Sequence, residues 1–467
     1  MATNHHAHGT GTDRVGRVAV IGAGPAGLYT TRALVDGGAT VDVFDRLPAP
    51  FGLVRYGVAP DHPRMKTVAT VLQSPCATGA ATYIGNVEVG SDVTLDQLRR
   101  SYHAVVYATG CPRDRALRIP GEGVAGSIGA GRLVGWYCGH PDNVGHAPPL
   151  DHDGAVVIGA GNVALDVARM LARSSGELQG TDVPDAVLKS LAASRVQDIH
   201  VLIRRGPHEA KFTPAELRQL GELGNADVTV HDDGVLAYTD VSDLDLRQRQ
   251  NLQIMREWTA RAPRATRRRI HLRFFRSPVE LRGHQRLRQV VTERTRLELD
   301  RVVPAGRGET ISAGLAVRAI GYQADPIEGL PFDHITGTVP NEAGRVLRDG
   351  APEPGLYVAG WLKRGPTGVI GTNKADGART ASEVLADLPR LPAPPQPDTD
   401  ALLYRLECNG VRYTDWNGWL RLNVEEQRLG SCRGADRVKI AERQRILGIA
   451  RPPLTRSNDN GAPLCIS

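Results

Sequence analysis

A glycine-rich motif near the amino terminus is the first group of residues whose spacing points to chemistry. It reads Gly22-Ala23-Gly24-Pro25-Ala26-Gly27, directly after the apolar run RVAVI (17–21). In this motif the first glycine permits a tight turn, the second lets the backbone approach a pyrophosphate, and the third lets a helix pack closely on the strand. The phosphates then meet the N–H groups and the dipole of the helix amino terminus. Asp45 ends the next apolar run and is placed to bind the hydroxyls of an adenosine ribose.

A second motif of the same kind, Gly159-Ala160-Gly161-Asn162-Val163-Ala164, follows the apolar run AVVI (155–158). Alanine at the third glycine position is a permitted variant. The next strand, 199–203, ends on Arg204 and Arg205 rather than on an acid. Two guanidinium groups there favour a ribose 2′-phosphate, so the second motif predicts NADPH rather than NADH.

Each motif also has a simpler interpretation, as a glycine turn in the first case and as solvated surface arginines in the second. The strand–turn–helix context and the different residues after the next strand favour binding in both. A site for FAD and a site for NADP(H) together predict a flavoenzyme that takes hydride from NADPH and can release the electrons singly.

The surrounding pattern predicts the elements that hold these motifs. The order strand, glycine turn, helix and strand occurs twice, which is typical of a doubly wound α/β fold with two Rossmann-like domains. Three further apolar segments, 104–110, 315–320 and 355–360, end on glycine, as strands do where such sheets receive ligands. A proline-rich spacer, 391–398, precedes a carboxy-terminal part in which Trp416 and Trp419 are expected to anchor packing.

Composition narrows the class of protein. The chain has 467 residues, enough for two or three domains, and no apolar run approaches the roughly 20 residues that span a bilayer. Residues 1–14 are polar and predict a disordered leader rather than a signal peptide, so a cytoplasmic location is expected. The six cysteines form no C-x-x-C pair, so neither a metal site nor a redox dithiol is predicted.

The basic residues are concentrated. Eight arginines lie between 256 and 276, in a chain of net charge +6. Either this is a solvated arginine-rich face, or it is a docking patch for an acidic protein. Nucleic acid is not expected, because no stacking aromatics or DNA-binding motif accompany the arginines.

Longer segments carry a family resemblance. They are VAVIGAGPAGLYTTRAL (18–34), FGLVRYGVAPDHPRMK (51–66), VVYATG (105–110), VVIGAGNVALDVAR (156–169), RRGPHEAKFTPAELR (204–218), GLPFD (329–333) and GWLKRGPTGVIGTNKADG (360–377). With them, the sequence resembles the adrenodoxin reductase-type ferredoxin–NADP⁺ reductases, which are glutathione-reductase-like. The resemblance runs from about residue 15 to the carboxy-terminal tryptophans and is weakest near 225–300.

The resemblance implies that an NADP domain, 114–320, is inserted into an FAD domain made of 15–113 and 321–467. It also implies site residues. For FAD these are Gly22, Gly24, Pro25, Ala26, Gly27, Asp45, Leu53, Gly110, Gly360, Trp361, Gly368, Val369 and Ile370. For NADP(H) they are Gly159, Gly161, Asn162, Val163, Arg204 and Arg205.

The resemblance further implies that His62 and Glu216 form a catalytic pair near the contact of flavin and nicotinamide. A histidine there can tune proton movement, and a carboxylate can orient the nicotinamide. Without the resemblance, His62 would be interpreted as a helix cap and Glu216 as a solvated helix residue. The sequence departs from the family pattern at Cys138, at 127–133, and at His208 and Lys211.

The leading hypothesis is therefore an NADPH–ferredoxin reductase, monomeric, steered to an acidic ferredoxin and serving a cytochrome P450 downstream. The altered 127–138 region leaves open a second hypothesis, a tailoring oxidoreductase that acts on a small organic substrate. A third is a flavin- and NADP(H)-binding redox sensor without enzymatic activity.

Overall fold

Two separate sheets organise the computed structural model, which describes residues 15–451. The strands are β1 Arg17–Ile21, β2 Thr40–Asp45, β3 Ala81–Gly85, β4 Ala104–Tyr107, β5 Arg113–Asp114, β6 Ser127–Gly129, β7 Gly154–Ile158, β8 Asp198–Ile203, β9 Ala226–His231, β10 Arg268–Phe274, β11 Arg276–Arg282, β12 Gln289–Glu298, β13 Arg301–Ser312, β14 Leu315–Arg318, β15 Tyr322–Gln323, β16 Asn341–Glu342, β17 Arg345–Arg348 and β18 Ala351–Val358. The first sheet has seven strands in the order β16-β17-β18-β4-β1-β2-β3, and the second has six in the order β6-β14-β7-β8-β10-β9. A three-stranded antiparallel sheet, β11-β12-β13, and a two-stranded ribbon, β15-β5, complete the strands.

Helices cover both sheets. They are α1 Pro25–Asp36, α2 Leu53–Tyr56, α3 Pro63–Lys66, α4 Val68–Leu72, α5 Ser74–Ala77, α6 Leu95–Ser101, α7 Ala130–Tyr137, α8 Asn162–Ala172, α9 Ser175–Leu178, α10 Asp185–Ala192, α11 Pro214–Gly221, α12 Val235–Tyr238, α13 Leu246–Ala260, α14 Trp361–Arg364, α15 Thr372–Asp387, α16 Thr399–Cys408, α17 Trp416–Arg433 and α18 Arg443–Ala450. Short 3₁₀ turns lie at Pro207–Glu209 and Leu388–Arg390. Within 15–451, none of the helices is long and apolar enough to cross a membrane.

Both sheets bury their central strands on two faces. Along β1, Val18 and Val20 face one core while Ala19 and Ile21 face another. Along β7 the alternation is the same, with Val157 facing one core and Val156 the other. Strands buried on both faces read as continuous apolar runs, which is why RVAVI and AVVI are recognisable in the sequence.

The connectivity confirms the predicted fold class. The first sheet uses strands from both ends of the chain, and the second uses strands between 127 and 318, so one Rossmann-like unit is inserted into the other. In each sheet, the strand that leads into the glycine loop lies where the strand order reverses, with β1 between β2 and β4, and β7 between β8 and β14. Ligands of open α/β sheets bind at that point, outside the carboxyl ends of the strands.

Element boundaries differ modestly from the sequence-based expectation. The helix α1 begins at Pro25, within the glycine motif itself, because a proline without an N–H is well suited to a first helical turn. The strand β4 ends at Tyr107 rather than at Gly110, and β14 ends at Arg318 rather than at Ile320. The predicted leader, 1–14, lies outside the described residues.

The domain limits at 113/114 and 320/321 stay a prediction. The ribbon of β5 and β15 lies at both of them. In the carboxy-terminal part, Trp419 is buried with its ring 5.4 Å from that of Phe51, and Trp416 is 6.2 Å from Tyr83. The two tryptophans therefore anchor this part against the first sheet.

Candidate active site

The first glycine loop joins β1 to α1 and leaves one of its three glycines open. A Cβ on Gly22, which has φ 111°, would lie 2.6 Å from the Ala108 carbonyl oxygen, and one on Gly27 would lie 1.8 Å from the Gly22 carbonyl oxygen. A Cβ on Gly24 would meet only the Cα of Gly52, at 4.0 Å. Gly22 and Gly27 are thus required by the fold itself, whereas Gly24 borders space that a ligand can use.

The amino terminus of α1 supports an anion at this loop. It has no side-chain cap and no acidic residue in its first turn, and Pro25 occupies the first helical position. The N–H groups of a first helical turn have no partner within the helix. A pyrophosphate beside Gly24 would accept hydrogen bonds from them.

Asp45 lies directly beneath the loop. Its carboxylate oxygens accept hydrogen bonds from the backbone N–H of Ala23 at 2.7 Å and of Leu47 at 2.8 Å. Burial raises the pKa of Asp45, although these N–H groups and nearby arginines act to lower it. Asp45 therefore shapes the glycine loop, and each of its oxygens keeps a second lone pair for a ribose hydroxyl.

The second glycine loop joins β7 to α8 and repeats this arrangement. A Cβ on Gly159 would lie 2.3 Å from the Ala319 carbonyl oxygen, whereas one on Gly161 would meet no atom within 4 Å. The helix α8 has neither a side-chain cap nor an acid in its first turn. The Asn162 side chain accepts a hydrogen bond from the Thr213 N–H at 2.8 Å, so it ties this loop to the start of α11.

The two arginines after β8 differ in their surroundings. Arg205 donates to the Asp300 carboxylate at 2.8 Å and to the Asp300 carbonyl oxygen at 3.0 Å. The exposed side chain of Arg204 makes no hydrogen bond or ion pair with any residue of 15–451. Sequence reasoning treated the two as equivalent, but only Arg204 keeps all its donors for a phosphate.

The segment before α15 closes over the first loop. A Cβ on Gly360 would lie 2.5 Å from the Cβ of Ala26, and the Gly360 N–H donates to the buried Asp376 at 2.6 Å. Trp361 stacks on Tyr322, with 5.8 Å between ring centroids. Gly360 is therefore held against the amino terminus of α1.

The residues predicted along the flavin include large apolar side chains that are exposed to solvent. Gly368, Val369 and Ile370 precede α15, whose first turn has no side-chain cap and no acid. Val369 and Leu53 are large apolar side chains that stay exposed, 71% and 47% respectively. Gly110 has φ 75° and open space around its Cβ position. A planar apolar ring system would cover such side chains, which supports the predicted flavin contact.

The His62 and Glu216 side chains meet although 154 positions separate them. Nε2 of His62 lies 3.5 Å from Oε2 of Glu216 and 3.5 Å from Oδ1 of Asp166. All three lie around the buried guanidinium of Arg169, which contacts the His62 Nε2. Burial and the neighbouring Asp166 raise the pKa of Glu216, which His62 and Arg169 oppose.

Sequence reasoning missed Asp61, Asp166 and Arg169 in this cluster. The spacing of Asp166 and Arg169 on α8 was a usable signal, because residues three apart share a helix face. An imidazole and two carboxylates within 4.8 Å of one another could also hold a metal ion. Here Arg169 supplies the cation, and the absence of a metal stays a prediction.

Of the departures from the family pattern, Cys138 and the 127–133 segment make contacts inside the protein, whereas the Lys211 side chain is exposed. Cys138 is fully buried and donates to the Val58 carbonyl oxygen at 3.2 Å, and burial raises its pKa to about 11. The 127–133 segment forms β6 and the start of α7, where the Gly131 N–H donates to Asp114 at 2.8 Å. The Lys211 N–H donates to the Ala160 carbonyl oxygen at 2.8 Å.

Most arginines of the arginine-rich segment are paired within the chain, which favours a structural role, while a docking patch stays a prediction. Seven of the eight arginines have partners within the chain. Five form ion pairs: Arg261 and Arg264 with Asp227, Arg269 with Asp198, Arg273 with Glu309, and Arg276 with Asp233. Two donate to backbone carbonyl oxygens: Arg256 to those of Leu236 and Thr239, and Arg268 to that of Val196. Arg268 is buried. The segment is a structural network around β9 and β10.

Comparison with known proteins agrees with this geometry. The sequence profile of the pyridine nucleotide-disulphide oxidoreductases matches residues 16–222. The human mitochondrial NADPH:adrenodoxin oxidoreductase is 40% identical over 460 residues, covering 94% of this chain and 93% of the relative. The NADPH-ferredoxin reductase FprA of Mycobacterium tuberculosis is 37% identical over 452 residues, covering 92% of this chain and 98% of the relative.

The chain belongs to the adrenodoxin reductase-type family of NADPH-ferredoxin reductases. A solved structure of Mycobacterium tuberculosis FprA in complex with NADPH has a TM-score of 0.88 and 37% identity, covering 93% of this chain and 99% of FprA. The family consists of oxidoreductases whose cofactors are FAD and NADP(H). The open loops at Gly24 and Gly161, each before an uncapped helix, fit the pyrophosphates of those two cofactors in this adrenodoxin reductase-type chain.

Proposed function

We propose that this protein oxidises NADPH and passes the electrons through FAD to a ferredoxin-type iron–sulfur protein. The observation that carries the proposal is the contrast between the two nucleotide loops. One lies on the buried carboxylate of Asp45, and the other is followed by the exposed Arg204 and by Arg205. An acid favours the ribose hydroxyls of FAD, and guanidinium groups favour the 2′-phosphate of NADPH.

The residues that would hold FAD come from both parts of the first sheet. Gly22, Gly24, Pro25, Ala26 and Gly27 form the pyrophosphate loop. The remaining FAD residues are Asp45, Leu53, Gly110, Gly360, Trp361, Gly368, Val369 and Ile370. The N–H groups before α15 would donate to the polar edge of the flavin, because that helix start has no side-chain cap.

The residues that would hold NADP(H) surround the second loop. Gly159 forms the turn, Gly161 leaves room for the pyrophosphate, and Asn162 and Val163 begin the helix that receives it. Arg204 would bind the 2′-phosphate directly. Arg205 would reach it from its position beside Asp300.

FAD, when bound, accepts two electrons from NADPH and releases them one at a time. The contribution of the chain is position, charge and protons. Glu216 would orient the nicotinamide carboxamide, and His62 Nε2, at 3.5 Å, is near enough to exchange a proton with Glu216 Oε2 after a small movement. The raised pKa of Glu216 brings its proton exchange closer to neutral pH.

The partner is proposed to be an acidic ferredoxin, attracted by the net charge of +6 rather than by the 256–276 segment. A cytochrome P450 as the final consumer, a monomeric state and a cytoplasmic location belong to the same proposal. The altered 127–138 region no longer favours the direct use of a small organic substrate, because Gly131 and Cys138 form hydrogen bonds within the protein.

Anaerobic stopped-flow absorbance tests the proposal. The FAD-loaded protein is mixed with NADPH and then with an oxidised ferredoxin, at low and at high salt. Flavin bleaching followed by fast reoxidation, slower at high salt, is expected. Bleaching without reoxidation by any ferredoxin would point to a small-molecule acceptor, and no bleaching would favour a redox sensor.

A further inference from the structure

Arg169 is the side chain around which the His62–Glu216 cluster is built. It is fully buried on the inner side of α8, and three carboxylates and one imidazole surround it. Its Nε lies 2.7 Å from Asp61 Oδ2, its Nη2 2.7 Å from Asp166 Oδ1, and its Nη1 3.3 Å from Glu216 Oε2.

These partners come from three separate segments. Asp61 and His62 precede α3 in the first, FAD-side part of the chain, Asp166 is on α8 itself, and Glu216 is in the first turn of α11. A planar guanidinium has five N–H donors in a fixed fork, so it can hold several acceptors at set angles. The Arg169 guanidinium is in contact with both members of the pair.

Neither His62 nor Glu216 is fixed by its own short helix. His62 precedes α3 and makes no side-chain capping bond there. Glu216 donates its backbone N–H to Thr213 Oγ1 at 3.3 Å, which holds the backbone but leaves the carboxylate free to rotate. The carboxylate and the imidazole therefore take their relative position from a third group.

Electrostatic interactions keep that third group, the Arg169 guanidinium, paired with Asp61. Burial acts to raise the pKa of Asp61, but the hydrogen bonds and charge of Arg169, with Arg173 and His62, lower it to about 2. Burial acts to lower the pKa of Arg169, and the surrounding carboxylates raise it. Asp61 and Arg169 thus stay ionised at neutral pH and remain joined.

We propose that Arg169 is the positioning residue that sets the distance and angle between His62 and Glu216 across the two nucleotide-binding units. The inference rests on the proposed function. A lysine at 169 would keep the charge but lose the fork, because its ammonium is a point charge. Asp61 acts through Arg169 by holding the other side of the guanidinium, and it directly precedes His62 in the chain.

Two variants and a matched control test the proposal. Arg169→Lys removes the fork, and Asp61→Asn weakens its anchor while leaving Arg169 in place. Arg173→Gln is the control, because Arg173 Nε also binds Asp61, at 2.9 Å, and no contact of Arg173 with His62 or Glu216 is found within 15–451. Thermal unfolding of each FAD-loaded variant checks that the fold is retained.

The first readout is flavin reduction by NADPH in stopped flow, as a function of NADPH concentration and of pH from 5 to 9. Arg169→Lys is expected to lower the limiting rate on the order of tenfold or more and to shift its pH profile, with little change in the Kd for NADPH. Asp61→Asn is expected to lower the limiting rate and to shift its pH profile in the same direction as Arg169→Lys. Arg173→Gln is expected to change neither the limiting rate nor the pH profile. A limiting rate and pH profile that stay at the wild-type values in Arg169→Lys would overturn the proposal.

The second readout does not need turnover. The His62 imidazole is titrated by NMR in ¹³C-histidine-labelled protein, with its signal assigned from the spectrum of His62→Gln. A shifted His62 titration in Arg169→Lys and Asp61→Asn, but not in Arg173→Gln, supports positioning, and an unchanged titration overturns it. If NADPH fails to reduce the wild-type flavin, the proposed function fails, while this titration still decides the role of Arg169.

Discussion

At the scale of single residues, the glycines of one motif have different physical roles. Gly22 and Gly27 are demanded by the protein, because a Cβ at either position would overlap a backbone carbonyl oxygen. Gly24 has room for a Cβ within the protein. The packing of the protein does not explain glycine at 24, whereas the close approach of a pyrophosphate would.

A matched pair of alanine substitutions separates these roles. Gly24→Ala is expected to fold with nearly wild-type stability but to lose FAD, because the new methyl group occupies the pyrophosphate approach. Gly22→Ala is expected to lose about 2 kcal/mol or more of unfolding free energy, since φ 111° and the Ala108 carbonyl oppose a side chain. Flavin absorbance and urea denaturation of both purified proteins measure this, and a yellow Gly24→Ala protein would contradict it.

Because Arg204 and Arg205 have different surroundings, we expect them to contribute unequally to the preference for NADPH over NADH. Arg204→Gln is expected to reduce the preference for NADPH over NADH about tenfold to a hundredfold, because a charge-assisted bond contributes roughly 1.5–3 kcal/mol. Ratios of kcat/KM for the two coenzymes measure it. Asp300→Asn is the control, because it releases Arg205 without removing a guanidinium and should leave the preference intact or raise it.

At the scale of elements, three neighbouring strands of the second sheet bring three histidines together. His200 on β8 stacks on His271 of β10, with centroids 4.6 Å apart, and His231 of β9 lies 3.1 Å from His271 between ring nitrogens. Arg273, Asp198 and Glu309 face this stack. Burial, followed by neighbouring positive groups, lowers the pKa of His200 to about 3 and that of His231 to about 4.

The stack predicts acid sensitivity of this sheet. Folded-state pKa values below the unfolded value of about 6.5 mean that the unfolded chain binds more protons, so stability falls as pH drops from about 6.5 towards 4. His200→Gln is expected to make that fall shallower, by up to about 1.4 kcal/mol per pH unit. Urea denaturation at several pH values tests it. His146→Gln, at an exposed histidine, should leave the slope unchanged.

At the scale of the whole molecule, the carboxy-terminal helices connect distant parts of the chain. Glu426 of α17 is fully buried and holds Arg55 of α2, with an Arg55 Nη1 to Glu426 Oε2 distance of 3.0 Å. Lys439 reaches the Arg55 carbonyl oxygen at 2.5 Å and Asp182 at 3.2 Å. The segment after 398 therefore joins the first sheet to the loop before α10.

A single substitution tests this connection. Glu426→Gln is expected to lower the free energy of unfolding by about 3–5 kcal/mol, because Arg55 is left buried without a compensating charge. Urea denaturation of the FAD-loaded protein measures the loss. Glu425→Gln breaks only the exposed pair with Arg428 and should cost less than about 1 kcal/mol. Equal effects at 425 and 426 would contradict the assignment.

The sequence by itself determined the two glycine loops, their strands and the order of the elements. Local rules suffice there, because a buried parallel strand is a continuous apolar run and a nucleotide loop needs its glycines at fixed spacing. It also carried the family resemblance that singled out His62 and Glu216.

Only the tertiary structure decided what distant residues do together. The sequence could not show that Arg169 lies between His62 and Glu216, or that Asp300 restrains Arg205 while Arg204 stays exposed. Nor could it show that five of the eight arginines in 256–276 pair with carboxylates within the chain. The charge of a side chain is readable from its type. Its partner is not, because acids and bases far apart in the chain come within a few ångströms only when the sheets and the carboxy-terminal helices have packed.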